Sequence, residues 1–271
     1  MADKDYKAFI VEGEAREPLI IENISKVFFK HENFKIITLP AGQNIYMLWK
    51  KLKEDEFDTD IIEVLREEHE EVNRQLKGLS RNDFSEVYLF FDYDGHQNNL
   101  GKVSDNNVLE QMLKNFDNET ENGKLYINYP MVEALRDFEE GKCGNEGKCF
   151  VPIAEMGNYK FESAMRSFYP RFKDYDITVW KILIDIFSMR ISCLMNSESV
   201  VTYEHYAEVI NPYEIYKMEE KEMQKQRVFI LSAFPEFLLD YFGVKLWRTS
   251  VKHARNLLEN MTCKNYYNEK A

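Results

Sequence analysis

Val87-Tyr88-Leu89-Phe90-Phe91-Asp92-Tyr93-Asp94-Gly95-His96 opens with five apolar or aromatic residues in a row and then stops at two acids separated by one residue. An uninterrupted apolar run of that length is the pattern of a strand covered on both faces, as in a parallel sheet. Asp92 and Asp94 then stand at the carboxyl end of a buried strand, where ligands of open α/β sheets bind, and Gly95 lets the backbone turn away. Two carboxylates so close repel each other unless a cation, a hydrogen-bond network or a shared proton compensates. Oxygen donors suit a hard divalent ion, so Mg²⁺ or Mn²⁺ is the expected compensation. Asp-Tyr-Asp-Gly is also ordinary turn chemistry, because Asp caps its own backbone and Gly supplies positive φ. The rest of the chain has to decide between the two.

Upstream, residues 6–11 read as a short buried strand that ends at Glu12-Gly13-Glu14. Glu17-Pro18 opens an apolar-periodic segment (Leu19, Ile20, Ile24, Val27, Phe28) that predicts a helix, with Pro18 tolerated in its first turn. Residues 34–39 predict a second strand stopped by Pro40, and the interval between the strands fits a crossover helix, so a parallel pair is expected. Helical spacing continues over residues 44–53 and 59–76. Glu67, Glu68, Glu70 and Glu71 in the latter read as a solvated helix face rather than a metal cluster.

Downstream, residues 105–116 predict a helix capped by Asp105, residues 115–123 a loop and residues 124–128 a short strand. Pro130 is placed to start a helix reaching Phe138, with Glu133 in its first turns. Glycines and cysteines mark residues 141–157 as an irregular insertion between an α/β unit over residues 1–140 and an all-helical region over residues 158–271. The aromatics and methionines of that last region are expected to pack a core, with Ile182, Leu183, Ile186, Phe187 and Ile191 inside. Aromatics left on its surface would suit a homo-oligomer.

At 271 residues, 44% hydrophobic and 14% aromatic, the chain can bury one large core or two small ones. Its formal charge of -12 argues against a generally basic nucleic-acid coat or an anionic-membrane binder, although a nuclease with an acidic metal centre and local basic contacts remains compatible. The charged start has no secretory pattern and no apolar run is long enough to span a membrane, so a cytoplasmic protein is expected. Cys143, Cys149, Cys193 and Cys263 make no disulfide framework. The interval between Cys143 and Cys149 is too wide for a zinc knuckle, and both are expected as accessible loop thiols.

The N-terminal half thus predicts a mainly parallel sheet with helices on both faces, in which all strands end along one edge. Glu12, Asp92, Asp94 and Glu133 each follow a predicted strand, so acids distant in sequence are expected to gather there. Phe9-Ile10-Val11-Glu12-Gly13 followed by a helix, then Phe90-Phe91-Asp92-Tyr93-Asp94-Gly95, is similar to the Toprim domain of topoisomerases, primases and OLD-type nucleases. In that family the first motif supplies a Glu, matched by Glu12, and the second an Asp-x-Asp pair, matched by Asp92 and Asp94, which together hold Mg²⁺. Val11-Glu12-Gly13-Glu14-Ala15-Arg16-Glu17-Pro18, with Tyr129-Pro130-Met131-Val132-Glu133, more closely resembles the small Toprim proteins of bacterial phage defence, such as the RloB-like group, often encoded beside an ABC-type ATPase. The chain departs from topoisomerases in offering no separate tyrosine-bearing cleavage domain, and from full-length OLD proteins in lacking a Gly-Lys-Ser/Thr phosphate loop.

The resemblance implies metal-dependent phosphodiester cleavage of DNA or tRNA in abortive infection, regulated by a partner ATPase. Glu12, Asp92, Asp94 and Glu133 would be the catalytic and metal-binding set, with Glu12 as general base or ligand. Arg16, His96 and Lys102 would be the substrate contacts, and Glu14, Glu17 and Asp105 are explained by capping and solvation. Two alternatives stand beside this one. One is a catalytically silent Toprim-like subunit that binds an ATPase through its helical half. The other is an aspartyl-phosphate type phosphotransferase or phosphatase-like enzyme, in which Asp92 would be covalently phosphorylated.

Overall fold

Strand β1 (Tyr6–Val11) and helix α1 (Arg16–Phe28) form where the sequence predicts them, and Pro18 falls in the first turn of α1. Ala8, Phe9, Ile10 and Val11 are wholly buried, which fits a strand with a neighbour on each side and cover on each face. The computed structural model describes residues 6–54, 56–93, 105–139, 142–143, 148–167, 169, 171–195 and 202–251. These divide into two compact units, one made of residues up to 92 with residues 105–126, the other of Tyr93 and residues from 127 onward.

In the first unit, β2 (Lys35–Pro40) pairs with β1 in parallel, as expected, from Tyr6 opposite Lys35 to Val11 opposite Pro40. Helices α2 (Ile45–Glu54), α3 (Ile61–Glu68) and α4 (Glu70–Gln75) then lead to β3 (Phe84–Asp92). The single helix expected over residues 59–76 is in fact two, because His69 is extended (φ -128°, ψ 111°). Asp60 caps α3 by accepting from the N–H groups of Ile62 and Glu63. The exposed acids Glu67, Glu68, Glu70 and Glu71 would repel one another at helical spacing across an unbroken turn.

Strand β3 pairs in parallel with the other side of β1, Lys7 opposite Glu86 and Val11 opposite Phe90. Lys7 and Glu86 form an ion pair across that register. Helix α5 (Asp105–Asn115) and the hairpin of β4 (Asp117–Asn118) and β5 (Gly123–Asn128) complete a mostly parallel five-stranded sheet of order β2-β1-β3-β5-β4. Within it the Phe90 ring stacks on Phe9 at 5.8 Å and on Tyr126 at 5.5 Å. Each such pair contributes about 0.5–1.5 kcal/mol beyond its buried area. Gly123, at φ 114°, brings its backbone so close to Leu89 that a Cβ would lie 2.6 Å from the Leu89 side chain.

The second unit carries β6 (Phe150–Pro152), α6 (Met156–Arg166), α7 (Ile177–Leu194), α8 (Tyr203–Val209), α9 (Pro212–Met223), β7 (Arg227–Phe229) and α10 (Ala233–Ser250). It is therefore not all-helical: β6 and β7 form a two-stranded antiparallel sheet, Phe150 opposite Phe229. Helix α10 bends at Gly243 (φ 61°, ψ -147°). Pro130 does not start an α-helix; the Tyr129–Pro130 peptide is cis and residues Val132–Leu135 make a single 3₁₀ turn. The five core residues predicted on α7 are all buried. So are Tyr159, Trp180, Tyr216 and Phe234, and Phe161 is the aromatic that stands out, 70% exposed.

A buried guanidinium organises this unit. Arg190 donates to the carbonyls of Cys143 (2.6 Å), Ile230 (2.8 Å) and Asp137. Burial alone would raise the Asp137 carboxyl, but the hydrogen bonds from Arg166 (2.8 and 3.2 Å) and the charges of Arg190 and Arg166 outweigh it and hold Asp137 below the usual carboxylate range.

Glu219 on α9 is the opposite case. It is wholly buried, which pushes its carboxyl well up; the hydrogen bond it accepts from the Phe229 N–H at 3.0 Å offsets this only in part. Its Oε1 has no hydrogen-bond partner among the described residues. With the folded value above the unfolded value of 4.5, Glu219 supports folding fully below that pH and progressively less as pH rises through the folded value. Glu219→Gln is expected to flatten the fall in stability as pH rises above the unfolded value of 4.5, read as thermal midpoint against pH. A variant as pH-sensitive as the wild type would show that another group sets the slope. Among the described residues, no helix is long and apolar enough to cross a membrane.

Candidate functional site

The chain leaves β1 towards β2 on one side, and β3 comes in on the other side of β1. The strand order therefore reverses at the carboxyl ends of β1 and β3, the kind of crevice in which open α/β sheets bind ligands. Glu12 and Asp92 stand there.

Glu12 is the first residue beyond β1, and the sheet ladder extends to hold its backbone on both sides. Its N–H donates to the Phe90 carbonyl at 3.2 Å, and its carbonyl accepts from the Gly42 N–H at 3.1 Å. Its side chain crosses to the neighbouring strand, where Oε2 accepts from the Asp92 N–H at 3.1 Å. Both acids are half-buried. Two carboxylate side chains from residues 80 positions apart thus leave adjacent strand ends, as the sequence predicts for this pair.

The residues around them follow from the same turn. Glu17, buried in the first turn of α1, reaches back to accept from the Gly13 N–H at 3.2 Å, the capping role expected of it. A Cβ on Gly13 would lie 2.8 Å from that carboxylate, so a larger residue there would push the Glu17 side chain aside. Arg16 opens α1 and is half-buried. Gly42, at φ 61°, lies between the Glu14 carboxylate and the His69 ring, 3.4 and 3.0 Å from where its Cβ would be. The break between α3 and α4 is what brings His69 there, and a continuous helical period gives no sign of it.

Asp94, His96 and Lys102 lie outside the described residues. Glu133 belongs to the second unit, on the Val132–Leu135 turn, and is only 2% exposed.

One group was not anticipated from sequence. Among the described residues, the group of three or more metal-ligating side chains whose donor atoms converge is Cys143, Cys149 and Cys193. Cys143 and Cys149 are not accessible loop thiols but are 8% and 1% exposed. Cys149 leads directly into the apolar Phe150-Val151 of β6, a signal for burial, whereas the arrival of Cys193 from α7 depends on tertiary structure. No family model matches the chain, and no curated protein or solved structure shows significant similarity to it.

The Glu12 bridge has a structural consequence separable from chemistry. Glu12→Ala leaves the Asp92 N–H without this acceptor and is expected to cost about 1–2 kcal/mol. Glu12→Gln keeps an accepting oxygen and is expected to cost less than half as much. Denaturant midpoints of the two variants against wild type measure the difference.

Proposed function

We propose that this chain is a metal-dependent nuclease of the Toprim type, acting on the phosphodiester bonds of DNA or tRNA. The observation that carries the reading is the meeting of Glu12 and Asp92 at the reversal of strand order, joined by the 3.1 Å hydrogen bond. The motif spelling around both residues supports it.

The donor set fits a hard divalent ion. Glu12 and Asp92 offer carboxylate oxygens, both are half-buried, and so water has access to complete a coordination shell. Bound there, Mg²⁺ or Mn²⁺ would polarise a phosphate and lower the pKa of a water. Asp92 would be the principal ligand, from a backbone fixed at the end of β3. Glu12, its main chain held from both sides, would share the ion or take the proton of the attacking water. Arg16 opens the helix that follows Glu12 and would meet substrate phosphate. Asp94, Glu133, His96 and Lys102 enter from the sequence motifs alone. The same resemblance makes anti-phage defence, under a partner ATPase, the setting in which such an activity would be used.

The test is purified protein with Mn²⁺ and a panel of plasmid, single-stranded DNA and tRNA. Wild type is expected to cleave at least one of them, and chelation to stop it. Asp92→Asn and Glu12→Gln are each expected to lower the rate at least about 100-fold, with circular dichroism unchanged. Cleavage that survives Asp92→Asn, or a wild type inert towards the whole panel, would overturn the proposal.

A further inference from the structure

Three cysteines from separate parts of the second unit bring their sulfurs together. Cys143 stands between residue 142 and the undescribed residues 144–147, Cys149 immediately precedes β6, and Cys193 lies in the last turn of α7. The Sγ atoms of Cys193 and Cys143 are 3.6 Å apart, and all three Sγ atoms lie within 4.8 Å of one another.

That spacing has a chemical meaning. A disulfide holds its sulfurs about 2.05 Å apart. Sulfurs bound at about 2.3 Å to one tetrahedral ion stand about 3.8 Å apart. A thiol–thiol hydrogen bond would account for one pair, but not for a third sulfur brought to the same point.

The backbones are fixed independently of the sulfurs. Arg190, one turn before Cys193 on α7, donates to the carbonyls of Cys143 and Ile230. The Ile230 N–H in turn donates to the Cys149 carbonyl at 2.9 Å. One guanidinium and one β-strand neighbour thus set all three cysteines in place, and the charge of Arg190 offsets the excess negative charge of three thiolates around a divalent ion.

We propose that the reduced chain binds one structural Zn²⁺ through Cys143, Cys149 and Cys193. This is independent of the strand-end carboxylates, whose oxygens suit a harder ion. Burial and the three-sulfur donor set mark a structural zinc that ties the start of β6 to the end of α7. Water would fill the fourth tetrahedral position.

Cys149 and Cys193 carry thiols outside any disulfide, whereas Cys143 is in a disulfide. One sulfur cannot be both a disulfide partner and a thiolate ligand, so metal and disulfide exclude each other at Cys143. A phosphine reductant supplies the two electrons that open the bond. Zn²⁺ then takes the place of one proton on each thiol, and those protons pass to solvent.

The test uses the untagged full chain, purified under reductant without chelator. Elemental analysis is expected to find about one zinc per chain, the complement of a single tetrahedral site. Cobalt substitution is expected to give the intense sulfur-to-cobalt charge-transfer absorption. Cys149→Ser and Cys193→Ser are each expected to lose both signals, while Asp92→Asn keeps its zinc. Should the serine variants fail to fold, a mercurial thiol reagent added to wild type still has to release the zinc. A reduced wild type with no zinc and no charge-transfer band overturns the proposal, as does metal retained by the serine variants or lost from Asp92→Asn.

Discussion

The pairing of β1 with β3 is the constraint from which the first unit follows. Its register is held at both ends: by the Lys7–Glu86 ion pair at the start, and by the Glu12 carboxylate on the Asp92 N–H at the finish. A slip of one residue would turn every side chain of a strand to the opposite face. It would also break the stack of Phe9, Phe90 and Tyr126. The same register therefore packs the sheet and brings two acids side by side. The hydrogen bond that closes the ladder is made by a side chain proposed for chemistry, so the end of β3 is both anchored and charged.

How much of this could be read from sequence depended on how long a pattern each element carries. Strands β1 and β3 announce themselves because burial on both faces demands unbroken apolar runs, and α1 because its apolar period is framed by Glu17-Pro18. The convergence of Glu12 with Asp92 then follows from parallel topology alone. Short or interrupted elements left weaker traces. The three-residue strands β6 and β7 are too short to show alternation, and their pairing joins residues nearly eighty positions apart. The break at His69 is a single extended residue within a helical period, with no glycine or proline to mark it. At residues 132–135 the apolar spacing is the same for a 3₁₀ turn as for the first turn of an α-helix.

The second unit rests on polar groups in its interior to a degree that composition does not reveal. Arg190 satisfies the carbonyls of Asp137, Cys143 and Ile230, from three separate chain segments, and leaving any of them unpaired would cost about 1–3 kcal/mol. Arg136 does comparable work on a smaller scale, donating to the Lys160 carbonyl at 2.6 Å and to the Ser163 hydroxyl. A guanidinium suits the task because its donors are fixed in a planar fork and it stays charged when buried. The carbonyls of Asp137 and Cys143 are thereby held by one side chain.

That anchoring bears on the cysteines. A metal site built from thiols on loosely held loops would have to supply the free energy of ordering them, whereas here the carbonyls of Cys143 and Cys149 are already engaged before any ion arrives. The two proposed sites then divide by donor chemistry. Carboxylates at half-buried strand ends favour a hard, exchangeable ion that keeps its waters, and buried thiolates favour a soft ion held without turnover. Because the donor sets differ in hardness, neither ion has reason to displace the other, and a catalytic centre and a structural staple can coexist in one chain.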